Sequence, residues 1–499
     1  MRPRNVNWLT HTVLALGVAL RIAFGVATPY DSAYDDHFEP VAVILEQGVL
    51  PSATDCWECF QPPLYYVVSA GVFSATTRLA ALGGASGEMV EAAGRKAIQF
   101  LSVAAGCVTL YVCLAVLRLA GGAACGAGIE SSGRSGWREA LSIGIVALLP
   151  RHIYMSAGAS NDALAYLLAT LAIYAALLAR HRDWRAGPCL TAGALAGATV
   201  LCKGYGLMTA SAILVAAGLC LHIQARRRPG NERRAQRRPV VLMLAAMLAV
   251  GVWPTVRNLA IYDRPHVDNF DIFDTPMSTQ PPGSIAATSF ASFRMLELLR
   301  HPWIHVSQVD SFWTELYARL WFDYEGFATS LAGHGPWERH WEALRQRWEV
   351  NRAGQVQWPP ERWASLFDYG KESEPPNLRR AGIVAYLAGL PLTACVLMGL
   401  LLSLRRFGRD FAATLLSLHL LFALAVVLFQ TLRLPHFAAM KAAFVLGGLS
   451  SVPVLAAALL AWSRPNVARA VGCLMVASLV AVALTDAAQA LVRFGILER

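Results

Sequence analysis

The chain has 499 residues, 56% of them hydrophobic and 15% charged, with a mean hydropathy of +0.43 and a formal net charge of +10. That composition excludes a soluble multidomain protein and points to a polytopic membrane protein, each crossing of which needs ~20 mostly apolar residues. The positive charge does not mark a nucleic-acid binder: the basic residues fall in short segments between apolar runs, as the positive-inside rule expects of cytoplasmic loops.

Met1-Arg2-Pro3-Arg4 followed by Trp8–Phe24 has the outline of a signal peptide. The apolar run is too long for a signal core and no small-x-small cleavage site follows, so it reads as a retained first span, Trp8–Thr28, with its basic end in the cytoplasm. Residues 30–97 are then extracytoplasmic. In them Phe38–Gln47 carries a helical apolar stripe at Val41, Ile44 and Leu45. Pro62–Leu82 is apolar, yet reads as an interfacial or re-entrant helix. The reason is parity: Ile98–Leu119 is a clear span followed by Arg118, Arg134 and Arg138, and one more crossing before it would put those arginines outside.

Ala140–Ser156 runs outward and Ala163–Ala179 returns, with Asn161 and Asp162 at the start of the returning helix, where a carboxylate suits the positive dipole end. Arg180, Arg182 and Arg185 are cytoplasmic. Cys189–Leu201 and Gly206–His222 form a pair broken on the outer side at Cys202-Lys203-Gly204-Tyr205-Gly206. The run of arginines from Arg226 to Arg238 is the strongest cytoplasmic marker, and Val240–Trp253 goes out again. Arg257–Arg379 is too long for a plain loop and reads as a partly helical cap. Ala381–Leu404, Phe411–Phe429, Phe437–Trp462 and Val467–Leu491 complete an expected all-α polytopic membrane protein of about eleven transmembrane helices, with juxtamembrane helices in the first outer loop and a long extracytoplasmic segment.

This topology gathers Asp35, Asp36, His37, Glu58, Asp162, Lys203, Arg257, Asn258 and Arg433 at one membrane boundary. Charge at membrane depth is costly, so each is a functional candidate. The set pairs carboxylates, which can take a proton from an acceptor hydroxyl, with cations that can stabilise a departing phosphate. Each also has a plainer reading: Asp35 and Asp36 as a solvated loop, Asp162 as a helix-start carboxylate, Lys203 as a snorkelling cation, Arg257 and Arg433 as interface anchors. Lys203 stands out as one of four lysines in an arginine-rich chain. Cys56-x-x-Cys59 is read as a local disulfide in an oxidising compartment, ahead of a redox motif or a zinc site. The histidines of the long segment (His266, His301, His305, His334, His340) read as solvated, although His301 and His305 stand at i, i+4.

The order of these features resembles a known family. An acidic pair with a His follows the first span, then Gly48-x-x-Pro51 and Gln61-Pro62-Pro63-Leu64-Tyr65-Tyr66. A Pro150-containing span leads to Asn161-Asp162, followed by Lys203-Gly204, Trp253-Pro254-x-x-Arg257-Asn258, Tyr262 and Pro265, and more weakly by Arg433-x-Pro435-His436 and Lys441. The pattern resembles the GT-C superfamily of membrane glycosyltransferases, and within it the bacterial protein O-mannosyltransferases and the lipid A aminoarabinose transferase. The resemblance implies a catalytic membrane module over residues 1–256, with a first outer loop over 29–97, an extracytoplasmic segment over 257–379 and C-terminal membrane helices over 380–499. It implies transfer of a sugar from a polyprenyl-phosphate donor to an acceptor hydroxyl, with inversion, on the outer face of a bacterial plasma membrane. Asp35 or Asp36 would be the base, with Asp162 the second acidic position. His37, Glu58, Gln61, Tyr65, Asn161, Lys203, Arg257, Asn258 and Arg433 would bind substrate. The expected partners are the lipid-linked donor, a glycan, lipid or protein acceptor, and membrane lipids. No metal site is assigned, and a divalent metal cofactor is left open. The family's usual pair is Asp-Glu rather than Asp35-Asp36, and Gln61 stands where some branches have His or Lys. The alternative from another class is a transporter or flippase of an amphiphilic or polyprenyl-linked substrate. Such proteins usually hold their ionisable groups near the midplane and show repeated halves, and no repeat is visible here.

Overall fold

A segment apolar on every side can satisfy its backbone within a bilayer only as a helix or in a closed barrel. The computed structural model takes the first course throughout. It describes residues 7–30, 37–124, 136–225, 230–268, 272, 287–300, 302, 311–322, 376–433, 442–494 and 496, and among them there is no strand.

The helices are α1 (Trp8–Ala27), α2 (Glu39–Gln47), α3 (Leu64–Leu82), α4 (Gly87–Ala124), α5 (Gly136–Ala147), α6 (Pro150–Ala157), α7 (Asn161–His181), α8 (Ala186–Cys202), α9 (Gly206–Ala225), α10 (Gly230–Gly251) and α11 (Trp253–Tyr262). After them come α12 (Met295–Arg300), α13 (Phe312–Trp321), α14 (Pro376–Leu404), α15 (Phe411–Arg433), α16 (Ser451–Trp462) and α17 (Pro465–Arg493), with a 3-10 turn at Ala442–Gly448 before α16. Among the described residues seven helices are long and apolar enough to cross a membrane, or ten if each bent pair is one span. The bent pairs are α5 with α6 (52°), α10 with α11 (48°) and the Ala442–Gly448 turn with α16 (64°). The sequence led to about eleven. The difference is α8, whose 17 residues fall short of the ~20 of a full crossing.

α3 is 19 residues long and is not among the helices apolar enough to cross. It packs along the first part of α4. α4 has 38 residues, about 57 Å of helix, nearly twice the ~30 Å hydrocarbon core. Gln99 of α4 bonds the carbonyls of Thr28 and Ala157, so residue 99 is level with the ends of α1 and α6. α3 lies along the part of α4 before that level: a Cβ on Gly94 would come within 2.5 Å of the Phe73 ring.

Two devices shape the bundle between. α8 packs on α10 through small residues, so closely that a Cβ on Gly197 would sit 2.5 Å from the Met247 carbonyl. The α5–α6 bend is held by Arg21 of α1. Pro150 has no N–H to give the Val146 carbonyl. The fully buried Arg21 guanidinium donates instead to Val146 O (3.2 Å) and Ala147 O (2.8 Å), and also to Gly17 O (2.7 Å). It bonds His152 Nδ1 as well, at 2.5 Å. Arginine only donates, so the His152 proton sits on Nε2.

Of the long segment between α11 and α14, the described helices α12 and α13 pack onto the bundle. Tyr317 donates to Tyr386 O, Trp321 Nε1 to Thr393 Oγ1 (2.8 Å), and Tyr386 of α14 to Pro302 O (2.6 Å). α13 carries a buried Glu315–Arg319 pair at 3.3 Å.

Candidate active site

The site forms where four chain breaks meet at one end of the bundle. The first is the turn into α7. Ser160 is its N-cap: the Oγ accepts from the Asp162 N–H at 3.2 Å, which is why α7 opens with Asn161 and Asp162 and presents both at its first turn. The second is the α8–α9 break, where Lys203 and Tyr205 leave the helical path between Cys202 and Gly206. The third is the Pro51–Pro63 strap before α3, and the fourth is the Gly251-Val252-Trp253-Pro254 bend into α11.

Side chains from these breaks form one directional chain. Lys203 Nζ donates to Asn161 Oδ1 at 2.8 Å, Asn161 Nδ2 to Gln61 Oε1 at 2.5 Å, and Gln61 Nε2 to Glu58 Oε2. Each amide turns its oxygen toward the cation and its nitrogen toward the carboxylate, so the bonds polarise one another in one sense from Lys203 to Glu58. Lys203 also pairs with Asp162, Nζ to Oδ2 at 2.7 Å, both side chains being largely buried. The other Asp162 oxygen accepts from Tyr205 at 2.8 Å. Burial first, and the Asp162 charge second, push the Tyr205 hydroxyl well above its usual range, so it stays a donor.

His37 joins this cluster from the first outer loop. Its Nδ1 is 3.1 Å from the Tyr66 hydroxyl, and its ring packs edge-on to Tyr65 and stacked on Tyr66. The Tyr65 hydroxyl is buried beside Ser69 and Ser102, and burial raises its pKa out of the working range. Cys56 and Cys59 are disulfide-bonded and buried, which folds the strap that carries Glu58 and Gln61. The far end of the strap is pinned to α11: Arg257 donates to Pro51 O, and the Tyr262 hydroxyl meets Ser52 Oγ and the Ala53 N–H, each at 2.8 Å. The turn after α11 comes back to the break, with His266 about 4.0 Å from a Cβ built on Gly204, and Asp268 pairs with Arg433 of α15 at 2.7 Å.

Of the residues expected from the sequence, His37, Glu58, Gln61, Tyr65, Asn161, Asp162 and Lys203 therefore share one cluster. Arg257 and Arg433 reach its rim through Pro51 and Asp268. Asn258 is half-buried on α11 and joins none of these contacts among the described residues. Asp35 and Asp36 lie outside the described residues, as do Pro435, His436, Lys441, His301, His305, His334 and His340. Lys203 differs from the expectation of a cation waiting for phosphate, because Asp162 already neutralises it. Sequence reasoning missed Ser160, Tyr205 and Tyr262. The N-cap rule could have found Ser160, one residue before Asn161-Asp162.

No protein-family model matches the sequence, and no curated protein does. Solved structures do align with it. One is the Archaeoglobus fulgidus oligosaccharyltransferase in complex with Zn and sulfate, at 13% identity and a TM-score of 0.47 over 96% of this chain and 53% of that one. The same enzyme tethered to an acceptor peptide aligns at 12% identity and a TM-score of 0.49, over 97% and 55%. ArnT from Cupriavidus metallidurans bound to undecaprenyl phosphate aligns at 14% identity and a TM-score of 0.36, over 92% and 79%. The chain thus spans about half the length of the oligosaccharyltransferase. Among the described residues no group of three or more His, Cys, Asp or Glu side chains is arranged to hold a metal ion.

Proposed function

We propose that the protein is a glycosyltransferase that moves a sugar from a polyprenyl-phosphate donor to an acceptor hydroxyl, on the outer face of a bacterial plasma membrane. The observation that carries the reading is the position of His37. It is one peptide bond from Asp36 and two from Asp35, and it packs on Tyr65 and Tyr66 of α3, the Tyr65 hydroxyl being buried beside the Ser102 that bonds Ser160. Asp35 and Asp36 are thus sequence neighbours of a residue packed near the turn that presents Asp162, which supports reading the two acidic positions as one site.

In this reading the carboxylate of Asp35 or Asp36 takes the proton of the acceptor hydroxyl. The acceptor oxygen bonds the anomeric carbon while the carbon–phosphate-oxygen bond breaks on the opposite face, and the electron pair leaves with the phosphate. The product is inverted. Asp162 is better suited to positioning than to proton transfer, since both its oxygens are engaged and it fixes Lys203 and Tyr205. Arg257 is the stronger candidate for the phosphate. It is half-buried and donates to a neutral carbonyl, so its charge is not cancelled there.

The test is transfer from radiolabelled undecaprenyl-phosphate sugars by the full chain in lipid nanodiscs, with Asp35→Asn, Asp36→Asn and Asp162→Asn beside the parent. Loss of the base is expected to slow transfer by about 10²–10⁴-fold in at least one of the first two. Parental rates in all three variants would overturn the reading.

A further inference from the structure

The acidic loop leaves α1 from a last turn whose carbonyls have no intrahelical partner, as at any helix end. Two side chains of α4 take them. Lys96 Nζ donates to Gly25 O at 2.8 Å, to Thr28 O at 2.8 Å and to Val26 O at 3.4 Å, which uses all three of its hydrogens. A cation at this position also suits the negative end of the α1 dipole. Gln99, one turn further along α4 and fully buried, donates from Nε2 to Thr28 O at 3.0 Å and to Ala157 O at 2.6 Å.

Those two carbonyls belong to the ends of different helices, α1 and α6. Thr28 is three residues before Asp31, where the acidic loop begins, and Ala157 is three residues before Ser160, the cap that presents Asn161 and Asp162. One amide therefore fixes the spacing between the two, and Lys96 fixes the angle at which α1 ends. Ser102, a further turn along α4, continues the same seam: its Oγ meets both the N–H and the carbonyl of Ser160 at 3.3 Å. Arg95 grips the loop's flanks from outside, with its guanidinium 5.9 Å from the Tyr30 ring and 4.0 Å from the Phe38 ring.

We infer that Lys96 and Gln99 are positioning residues of the transfer reaction, holding the end of α1, which the acidic stretch follows in sequence, in register with the turn that presents Asn161 and Asp162. The inference rests on the glycosyl-transfer reading. Both residues act through backbone carbonyls, so their loss is expected to act on the chemical step rather than on donor affinity.

The experiment measures kcat and donor KM for transfer from radiolabelled undecaprenyl-phosphate sugars, and binding of undecaprenyl phosphate alone, for Lys96→Met, Lys96→Arg and Gln99→Leu in nanodiscs. Misplacing a reacting group by ~1 Å costs up to about 10²-fold, so Lys96→Met and Gln99→Leu should lower kcat by about 10–100-fold. Donor KM and undecaprenyl phosphate affinity should stay within about threefold of the parent, and Lys96→Arg should recover most of the rate because it keeps the charge and the donors. If Lys96→Met does not fold, Gln99→Asn, which shortens the bridge but keeps the amide, reads the same split. Unchanged kcat in the folded variants overturns the inference, as does a matched loss of rate and affinity that Lys96→Arg does not repair. Parental transfer by Asp35→Asn, Asp36→Asn and Asp162→Asn would instead remove the reaction assignment itself. One inactive aspartate variant beside parental Lys96→Met and Gln99→Leu removes only the positioning role.

Discussion

Lys203 Nζ stands 2.7 Å from Asp162 Oδ2 and 2.8 Å from Asn161 Oδ1, so a single ammonium at the α8–α9 break holds both residues that open α7. Removing one member of such a pair leaves the other charged and largely buried, at a cost of about 3–5 kcal/mol. Asp162→Asn and Lys203→Gln are each expected to lower the midpoint of thermal unfolding. The double variant should lose clearly less than the two single losses added together. Additive losses in a double-mutant cycle would mean that the two side chains do not act as a pair.

The strap from Pro51 to Gln61 is fixed at one end by Arg257 and Tyr262 and at the other by Asn161, with the Cys56–Cys59 disulfide between. Opening the disulfide frees Glu58 and Gln61 from their turn. Cys56→Ser with Cys59→Ser should slow transfer about tenfold or more through loss of alignment, and a reductant that reaches the bond should reproduce the effect in the parent but not in the variant. A reductant effect of equal size in both would place the sensitivity elsewhere.

Arg257 and Lys203 differ in what is left for a ligand. Lys203 is matched by Asp162, whereas Arg257 binds a backbone carbonyl and lies 5.6 Å from the Trp253 ring. A hydrogen bond to a charged group contributes about 1.5–3 kcal/mol, so Arg257→Gln should raise the donor KM by about 10–100-fold. Arg257→Lys should recover only part of that, lacking the planar fork. A KM unchanged in Arg257→Gln would remove Arg257 from the phosphate site.

Much of this arrangement is legible in the sequence. Apolar length and arginine placement locate the helices, and parity alone argues that Pro62–Leu82 does not cross. The α7 start follows from the Ser160-Asn161-Asp162 sequence and the disulfide from Cys56-x-x-Cys59. What is not legible is register between helices. Nothing in the sequence says that Lys203 faces Asp162 rather than lipid, or that Tyr205 completes that carboxylate. Lys96 and Gln99 read as ordinary polar residues at the start of a span, because their partners are carbonyls about 70 residues earlier and, for Gln99, nearly 60 later. Backbone acceptors leave no mark in a sequence.

The interfacial position of α3 has its own test. In a background without other accessible thiols, a cysteine at Ala85, between α3 and α4, should be labelled from outside intact cells by a membrane-impermeant maleimide. A cysteine at Ser132 should be labelled only after the cytoplasmic face is opened. The positive-inside argument from Arg118, Arg134 and Arg138 requires opposite sides for these positions. The reverse pattern, with Ala85 labelled only after the cytoplasmic face is opened and Ser132 labelled from outside, would make α3 a crossing helix and would separate the strap from Asp162.

Arg21 tests whether a buried charge within a span here serves transport or architecture. Ionisable groups within a membrane are functional candidates by default, and a transporter would place them near the midplane. Arg21 instead has a structural duty, because it supplies donors to Val146 and Ala147 at the bend that Pro150 creates. Arg21→Met leaves the Ala147 carbonyl without its Arg21 donor, at a cost of about 1–3 kcal/mol, leaves Val146 O only the long 3.5 Å bond from the Leu149 N–H, and should markedly lower thermal stability. Pro150→Ala restores an N–H that Val146 can use in a straighter helix. Added to Arg21→Met, it should therefore recover part of the lost stability. The same Pro150→Ala change in the parent should not stabilise, because Arg21 already serves the carbonyl. If Pro150→Ala shifts stability equally in both backgrounds, the guanidinium is not there to hold the bend, and a role in moving an ion or a substrate through the bundle gains ground.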